Sequence, residues 1–503
     1  VLGCGAVGRE DDFFRLGGHS LLAIAVSHQL EKAFGHPVPA RELFSDPTLR
    51  GFARRVAQLG QGETVVVGSG SDRATEGQRE FWVAEGAGLD TRAFTMTLAL
   101  TATGAVPDDA AWRRAWTGLV RHHDALRCHF EEAGDDILRR TVLDAGAAGA
   151  LVDRHFLIET AADAESALAQ ARGHAATAIP LGQPPLWRAG LVRTPEGAVF
   201  WLGLHHAVGD GLSLAVLIED LTALLEGQAL EALSGGLALS AAREQAYLAS
   251  PAADADAAYW RDTLDHLVAS PAPEGNGPFD EWPLDAPRPL GRSGQAAKGS
   301  HSLRLCLDAD TAAALRRIAQ GQGASLHALM LALMAIEVRR RTGRAHFTLG
   351  TAASTRETAD EARVVGYYLN MLPLACHLAD ADTLADALAG VQQSLAEGLS
   401  HSRYPTARIL ADFRGQHPDL VQPGRYPLYN LLVSETPMAV GNGGNADWAL
   451  TTATIAIPER PTYRLSPLAA AHDMALTHEA LADGRLVLQW LVDAALYERE
   501  TVE

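Results

Sequence analysis

Residues 198–227, "AVFWLGLHHAVGDGLSLAVLIEDLTALLEG", constrain the fold of this chain more than any other stretch. The run of bulky apolar residues predicts a buried strand over 198–206. The segment 212–227 repeats its apolar residues with helical spacing and predicts a helix. A strand that feeds a helix through a tight, glycine-marked turn is a building unit of α/β folds. The turn itself, "HHAVGDG" at 205–211, offers two histidines, an aspartate and a glycine, a set that suits either metal binding or catalysis. Adjacent strand residues point to opposite faces, so His205 and His206 cannot easily ligate one ion. No Cys or Glu stands nearby at ligand spacing, and no metal is expected. His206, on the face of Leu202 and Leu204, ends the strand at a loop mouth and is the candidate for chemistry. His205, on the face of Gly203 and Trp201, reads as a hydrogen-bonded core histidine. Asp210 reads as a helix N-cap or as half of a buried ion pair. Gly211 permits a tight backbone path and close approach of a substrate.

Around this unit the chain divides. Residues 1–59 are expected to form a small helical unit. In it "DDFFRLGGHSLLAIAVSHQLEKAFG" leads from a glycine turn into a helix with Leu21, Leu22, Ala25 and Leu30 near one face, and Asp46-Pro47 starts a last helix. The Gly- and Ser-rich stretch 60–73 reads as a linker, in which "VVV" is a candidate docking strand. From residue 74 onward strands and helices mix. A strand is expected over 94–103 and a helix over 107–126, with Trp112, Ala115, Trp116, Leu119 and Val120 on one face. Pro and Gly thicken at 266–299 and suggest a boundary between two α/β lobes, 74–265 and 266–503. Helical segments at 308–320 and 324–341 follow, and then strands at "HFTLGTAAS", "VGYYLNMLPLACHL" and "RLVLQWLVD".

The bulk properties exclude some partners. A length of 503 residues calls for two to four domains. A net charge of −19 argues against nucleic acid or an anionic membrane as the main partner. The longest apolar run, "ALMLALMAI" at 328–336, is short of the roughly 18 residues of a membrane span. Cys4, Cys128, Cys306 and Cys376 are widely spaced and read as free thiols in a reducing, cytoplasmic setting. The opening "VLGCGAVGRE" shows no signal peptide and reads as the middle of a longer polypeptide.

Ser20, in "LGGHSLL", stands at the start of a predicted helix and on local grounds is an N-cap. The longer stretch "DDFFRLGGHSLLA" closely resembles the carrier-protein motif of non-ribosomal peptide synthetases. The resemblance implies that Ser20 carries a 4'-phosphopantetheine arm attached by a phosphopantetheinyl transferase. A phosphate there would meet the positive end of a helix.

"HHAVGDG" is similar to the HHxxxDG motif of condensation domains from the same synthetases. Further segments match in order: "RATEGQREFW" (73–82), "RHHDALRCHF" (121–130), "PLWRAGLVR" (185–193), "VVGYYLNMLPL" (364–374) and "YPLYNLLVSE" (426–435). This resemblance implies a chloramphenicol-acetyltransferase-like fold doubled in one chain, and amide-bond formation between two carrier-bound thioester substrates. It implies His206 as base or positioning group, with His205 and Asp210 architectural and Gly211 leaving room. Arg356 is the favoured ion-pair partner for Asp210, with Arg127 and Arg188 as lesser candidates, and Asn370 and Ser434 are candidate lining residues. The implied partners are a downstream acceptor carrier and the adenylation domains of the same synthetase. Two other readings stand beside this one: an epimerisation domain acting on the fused carrier, and a non-catalytic recruitment platform. The first usually has a Trp soon after the DG, absent from "DGLSLAVL", and the second typically loses the second His or the Gly.

Overall fold

The structure, a computed structural model, describes residues 7–502 except 17, 19, 37, 41, 44–45, 60–70, 89, 135–136, 234, 271–281, 287–298, 359, 380–381, 421–427, 430, 436–442, 445–447, 453–461, 467–471 and 482. The "VVV" of the expected linker and most of the Pro- and Gly-rich stretch 266–299 lie outside the described residues, as do the side chains of Ser20, Leu21, Leu22 and Ala25.

The N-terminal segment is helical. Helix Ser20–Phe34 and helix Leu49–Leu59 close on Phe13, Phe14, Val38, Leu43, Phe52 and Val56. The last helix opens at Leu49, with Thr48 Oγ1 accepting from the Gly51 N–H at 3.0 Å. Asp46 and Pro47 therefore lie just outside it, because Thr48 supplies the capping oxygen instead.

Two sheets follow, built from strands β1 (Thr95–Gly104), β2 (Cys128–Glu132), β3 (Leu138–Val142), β4 (Phe156–Thr160), β5 (Trp187–Thr194), β6 (Gly197–His205), β7 (Ser300–Leu307), β8 (His346–Ser354), β9 (Leu369–His377), β10 (Leu431–Glu435), β11 (Gly443–Gly444), β12 (Trp448–Thr452), β13 (Thr462–Ser466), β14 (Met474–Ala480) and β15 (Leu486–Asp493). The first sheet has the order β11-β12-β1-β6-β5-β4 and the second β13-β7-β15-β14-β10-β8-β9. β2 and β3 form a separate ribbon. β6, central in the first sheet, is buried from its second residue to its last, as its unbroken apolar sequence requires. Helix Asp109–His122, capped by Asp108, covers this sheet with Trp112 and Trp116, whose rings lie 5.4 Å from Phe200 and 5.3 Å from Trp187. Helix Leu326–Thr342 is the counterpart in the second core, burying His327, Leu329, Met330 and Leu331.

The division between the two cores is not a single point in sequence. The position expected for the boundary, 265/266, falls inside helix Pro251–Ala269, and that helix packs Trp260 and Leu264 into the second core. Val364, Val365 and Tyr368 pack into the first core, and β12 pairs with β1 from 350 residues away, Leu100 opposite Thr452. The chain thus crosses between the sheets at least twice, and the segment 356–368 of one crossing meets the turn 205–211 through Asp210. Among the described residues no single helix is long and apolar enough to cross a membrane. The described cysteines Cys128, Cys306 and Cys376 are free.

Candidate active site

The turn forms because β6 ends at His205, and His206–Val208 make one 3₁₀ turn before the next helix. His206 has therefore left the strand, and strict face alternation with Leu204 does not fix its direction. Three hydrogen bonds fold the turn instead. His205 Nδ1 accepts from the Ala207 N–H at 3.0 Å, and His206 Nδ1 lies 2.8 Å from the Gly209 carbonyl. Gln78 Nε2, from helix Glu76–Gly86, donates to the Ala207 carbonyl at 3.0 Å.

The two rings then differ in function. His205 is fully buried, and its Nε2 has no partner among the described residues. Burial pushes its pKa down to about 3, so it is neutral at neutral pH. His206 is partly buried, stacks on Phe81 (centroids 6.0 Å, 23°) and meets the edge of Tyr367 (5.4 Å, 88°). A carbonyl only accepts, so the contact with Gly209 requires a proton on Nδ1. In the neutral ring Nε2 is then left with its lone pair. Burial lowers the pKa of His206 below the ordinary 6.5, against the opposing pull of the Gly209 carbonyl and Asp210. The ring is therefore neutral at neutral pH, with Nε2 free of a proton.

Asp210 caps helix Gly211–Leu225, accepting from the Ser213 N–H at 2.8 Å, and it also pairs with Arg356. Both side chains are 1% exposed. Arg356 follows β8 and reaches further acceptors at the carbonyls of Glu361 (3.1 Å) and Val364 (3.2 Å), with its guanidinium 4.2 Å from the Tyr368 ring. The Tyr368 N–H adds a 3.2 Å bond to Asp210. Burial alone would raise the Asp210 carboxyl. The Arg356 charge and the Ser213 donors outweigh it and hold the group below its ordinary range. This cluster ties the end of the first sheet to the segment joining β8 and β9.

The remaining candidates separate. Arg127 does not meet Asp210: it bonds Asp124 Oδ1 at 2.7 Å and the carbonyls of Val120 and Leu143, which close its own turn. Arg188 lies on β5. Asn370 is saturated by the carbonyls of Ser402 and Tyr404 (2.8 and 2.7 Å) and by Thr406, so it does not line the main cavity but a smaller adjoining one. Ser434 does line the main cavity, a space of about 360 Å³ that also touches His206, Asp210, Gly211 and Arg356. Glu80, Tyr367, His327 and Glu435 line it as well and were not singled out in the sequence. Glu80 and Tyr367 stand inside the quoted segments "RATEGQREFW" and "VVGYYLNMLPL", and that placement was their only signal. Outside this site, His122, His123 and Asp220 come together at metal-binding distances, but Asp220 is already bonded to His123 and Arg363.

The cavity's first prediction concerns Gly211, which opens helix Gly211–Leu225 on the cavity wall. Gly211→Leu should abolish product formation while leaving the thermal melt within about 2 °C; unchanged turnover would show that this position does not border the reacting groups.

Strands of the second sheet, helix Glu76–Gly86 and the histidine turn thus line one cavity. Residues 72–429 match the condensation-domain family, and residues 1–56 match the phosphopantetheine attachment site. The chain belongs to the condensation-domain family, with a phosphopantetheine attachment segment ahead of that domain, as in non-ribosomal peptide synthetases. Tyrocidine synthase 3 of Brevibacillus parabrevis is 28% identical over 516 residues, a match that takes in 100% of this chain but only 7% of that protein. The chain therefore spans a small fraction of that relative's length. The first condensation domain of the calcium-dependent antibiotic synthetase, in complex with a substrate analogue, superposes with a TM-score of 0.65 at 21% identity, covering 86% of this chain and 92% of that one. The epimerization domain from the third module of tyrocidine synthetase B does so at 0.67 and 18%, covering 88% and 95%. These two likenesses show the shared α/β fold, which condensation and epimerization domains have in common.

Proposed function

We propose that the chain forms an amide bond between a donor acyl thioester and the amine of an aminoacyl thioester carried by a second, downstream carrier domain. In this reading residues 1–59 are the carrier, 60–73 the linker, and the two lobes built from 74–503 form the condensation domain. The observation that carries the proposal is the His206 ring, held with Nδ1 on the Gly209 carbonyl and exposed to the cavity.

The chemistry asks little of the protein. The thioester is already activated, and an α-amine with a pKa near 8 is partly neutral at neutral pH. Holding both substrates in attack geometry supplies roughly 7–11 kcal/mol of the barrier. The amine nitrogen forms a bond to the acyl carbon, its proton passes to His206 Nε2, and the C–S bond breaks as the proton is returned to the leaving thiolate. His205, Asp210 and Arg356 act by holding the turn. Ser20 opens a helix of 15 residues, so a phosphate on it would lie at the positive helix end, and the site fits a phosphopantetheine group. When attached, that group supplies a long arm ending in a thiol that presents acyl chains. A phosphopantetheinyl transferase would load it, and neighbouring adenylation domains would charge it.

Because His206 must be neutral to accept a proton, the pH profile is predictable in sign. After correction for the neutral fraction of the amine, kcat/KM should stay level from pH 8 to 6.5 and fall only below 6.5, since burial moves the imidazole downward. A decline centred at pH 7 or above would contradict the assigned role. The proposal as a whole is tested with a soluble acyl-pantetheine and an aminoacyl-pantetheine. Amide product is expected. Inversion of the donor's α-carbon without coupling would favour epimerisation, and no reaction at all would favour a recruitment platform.

A further inference from the structure

The charges around the main cavity do not balance. Among its described lining residues the only Lys or Arg is Arg356, and Asp210, Ser213 and two carbonyls already occupy it. Two further carboxyl groups line the same space: Glu80 from helix Glu76–Gly86 and Glu435 at the end of β10. Neither takes part in an ion pair among the described residues. The arginines that share the smaller adjoining cavity with Glu80, Arg243 and Arg403, are paired with Glu361 at 2.8 Å and Glu357 at 3.3 Å. Opposite Glu435 on β14 stands His478, buried and bonded to His327 at 2.9 Å. Burial holds His327 at about 4 and His478 at about 3, leaving both neutral, and it lowers His206 as well; His472 also lines the cavity, its ring 5.8 Å from that of Tyr429. The same cavity is lined by several apolar side chains, among them Phe81, Ala84, Phe94, Met371 and Leu432.

An apolar wall with unpaired carboxyl groups fits a long aliphatic stem that ends in a positive charge. We infer that this cavity selects a substrate whose side chain ends in an ammonium or guanidinium group, with Glu80 and Glu435 as its counter-charges. The inference rests on the reading of the cavity as the condensation site. The protonation of the two groups agrees with it. Burial raises both to about 7, so each is half-neutral without a partner and becomes fully ionised when a cation arrives.

The test compares lysyl- and norleucyl-pantetheine amides, which differ only in the terminal ammonium and cannot transfer their acyl group. Each is presented in an acceptor form, with a free α-amine, and in a donor form, with that amine acylated. Calorimetric titration into the full chain at pH 7.5 should show the lysyl compound binding at least tenfold tighter in one of the two forms. Glu435→Gln should cut that preference to threefold or less while changing norleucyl affinity by less than twofold. Equal affinities of wild type for both compounds in both forms would overturn the inference, and so would a preference left intact in both Glu435→Gln and Glu80→Gln. Should a variant fail to fold, the wild-type comparison alone decides. Turnover of the matching thioesters separates the two claims. Lysyl preference in binding without amide product overturns the condensation reading alone. Product formed with equal kcat/KM for lysyl and norleucyl substrates overturns the selectivity alone.

Discussion

Replacing His206 with alanine should lower the coupling rate by a factor of about 10²–10⁴, the range that a positioned acid–base group contributes. The side chain lines the cavity, and among the described residues its ring bonds only to Gly209, so its removal leaves a small polar gap rather than a core void. The melting curve should therefore change little, and the loss should appear in kcat more than in KM. His206→Gln separates two roles: an amide can accept a hydrogen bond but cannot take up the proton. Near-complete rescue by Gln would assign His206 to positioning, whereas equal loss in both variants would assign it to proton transfer. A loss of less than tenfold in His206→Ala would contradict both.

The second large effect concerns stability. Asp210→Asn keeps a helix-capping oxygen but leaves the Arg356 guanidinium buried without its counter-charge. Removing one member of such a pair costs about 3–5 kcal/mol, most of it the penalty of the stranded charge. The domain should melt on the order of 5 °C lower. Arg356→Met in the same background should recover part of the loss, because the stranded charge is then gone and Met fills similar volume. A double variant less stable than Asp210→Asn would show that Arg356 is held mainly by the carbonyls of Glu361 and Val364 rather than by Asp210.

The two outcomes bear on different parts of the sequence. Elements with strong local pattern were legible: β6, helix Asp109–His122 with its acidic start, and helix Leu326–Thr342 all fall within a few residues of their apolar periodicity. What depends on distant partners was not. Nothing local to "WALTT" indicates that β12 joins β1, because that pairing is made across 350 residues. The placement of His206 turned on hydrogen bonds to Gly209, which strand alternation does not contain. Asn370 stands within a segment matched to the family, yet its amide is consumed by backbone groups of 402–406. Arg127 and Arg356 are both arginines near turns. Only the crossing between the two sheets brings the second to Asp210, while the first is captured by the carbonyls of Val120 and Leu143. Glu80 and Glu435 both stand inside segments matched to the family, but only the cavity brings these residues, 355 positions apart, together.

The central claim is that the carrier serine and the histidine turn act in one reaction. It is tested most directly by loading Ser20 of the full chain with an acyl-phosphopantetheine, adding a separate aminoacyl carrier, and following both by intact-mass spectrometry. The account predicts that the acyl mass leaves this chain and appears on the added carrier as an amide, and that neither Ser20→Ala nor His206→Ala gives this transfer at a comparable rate. An acyl group that stays on Ser20 in the wild-type chain while the aminoacyl carrier remains unchanged would contradict it.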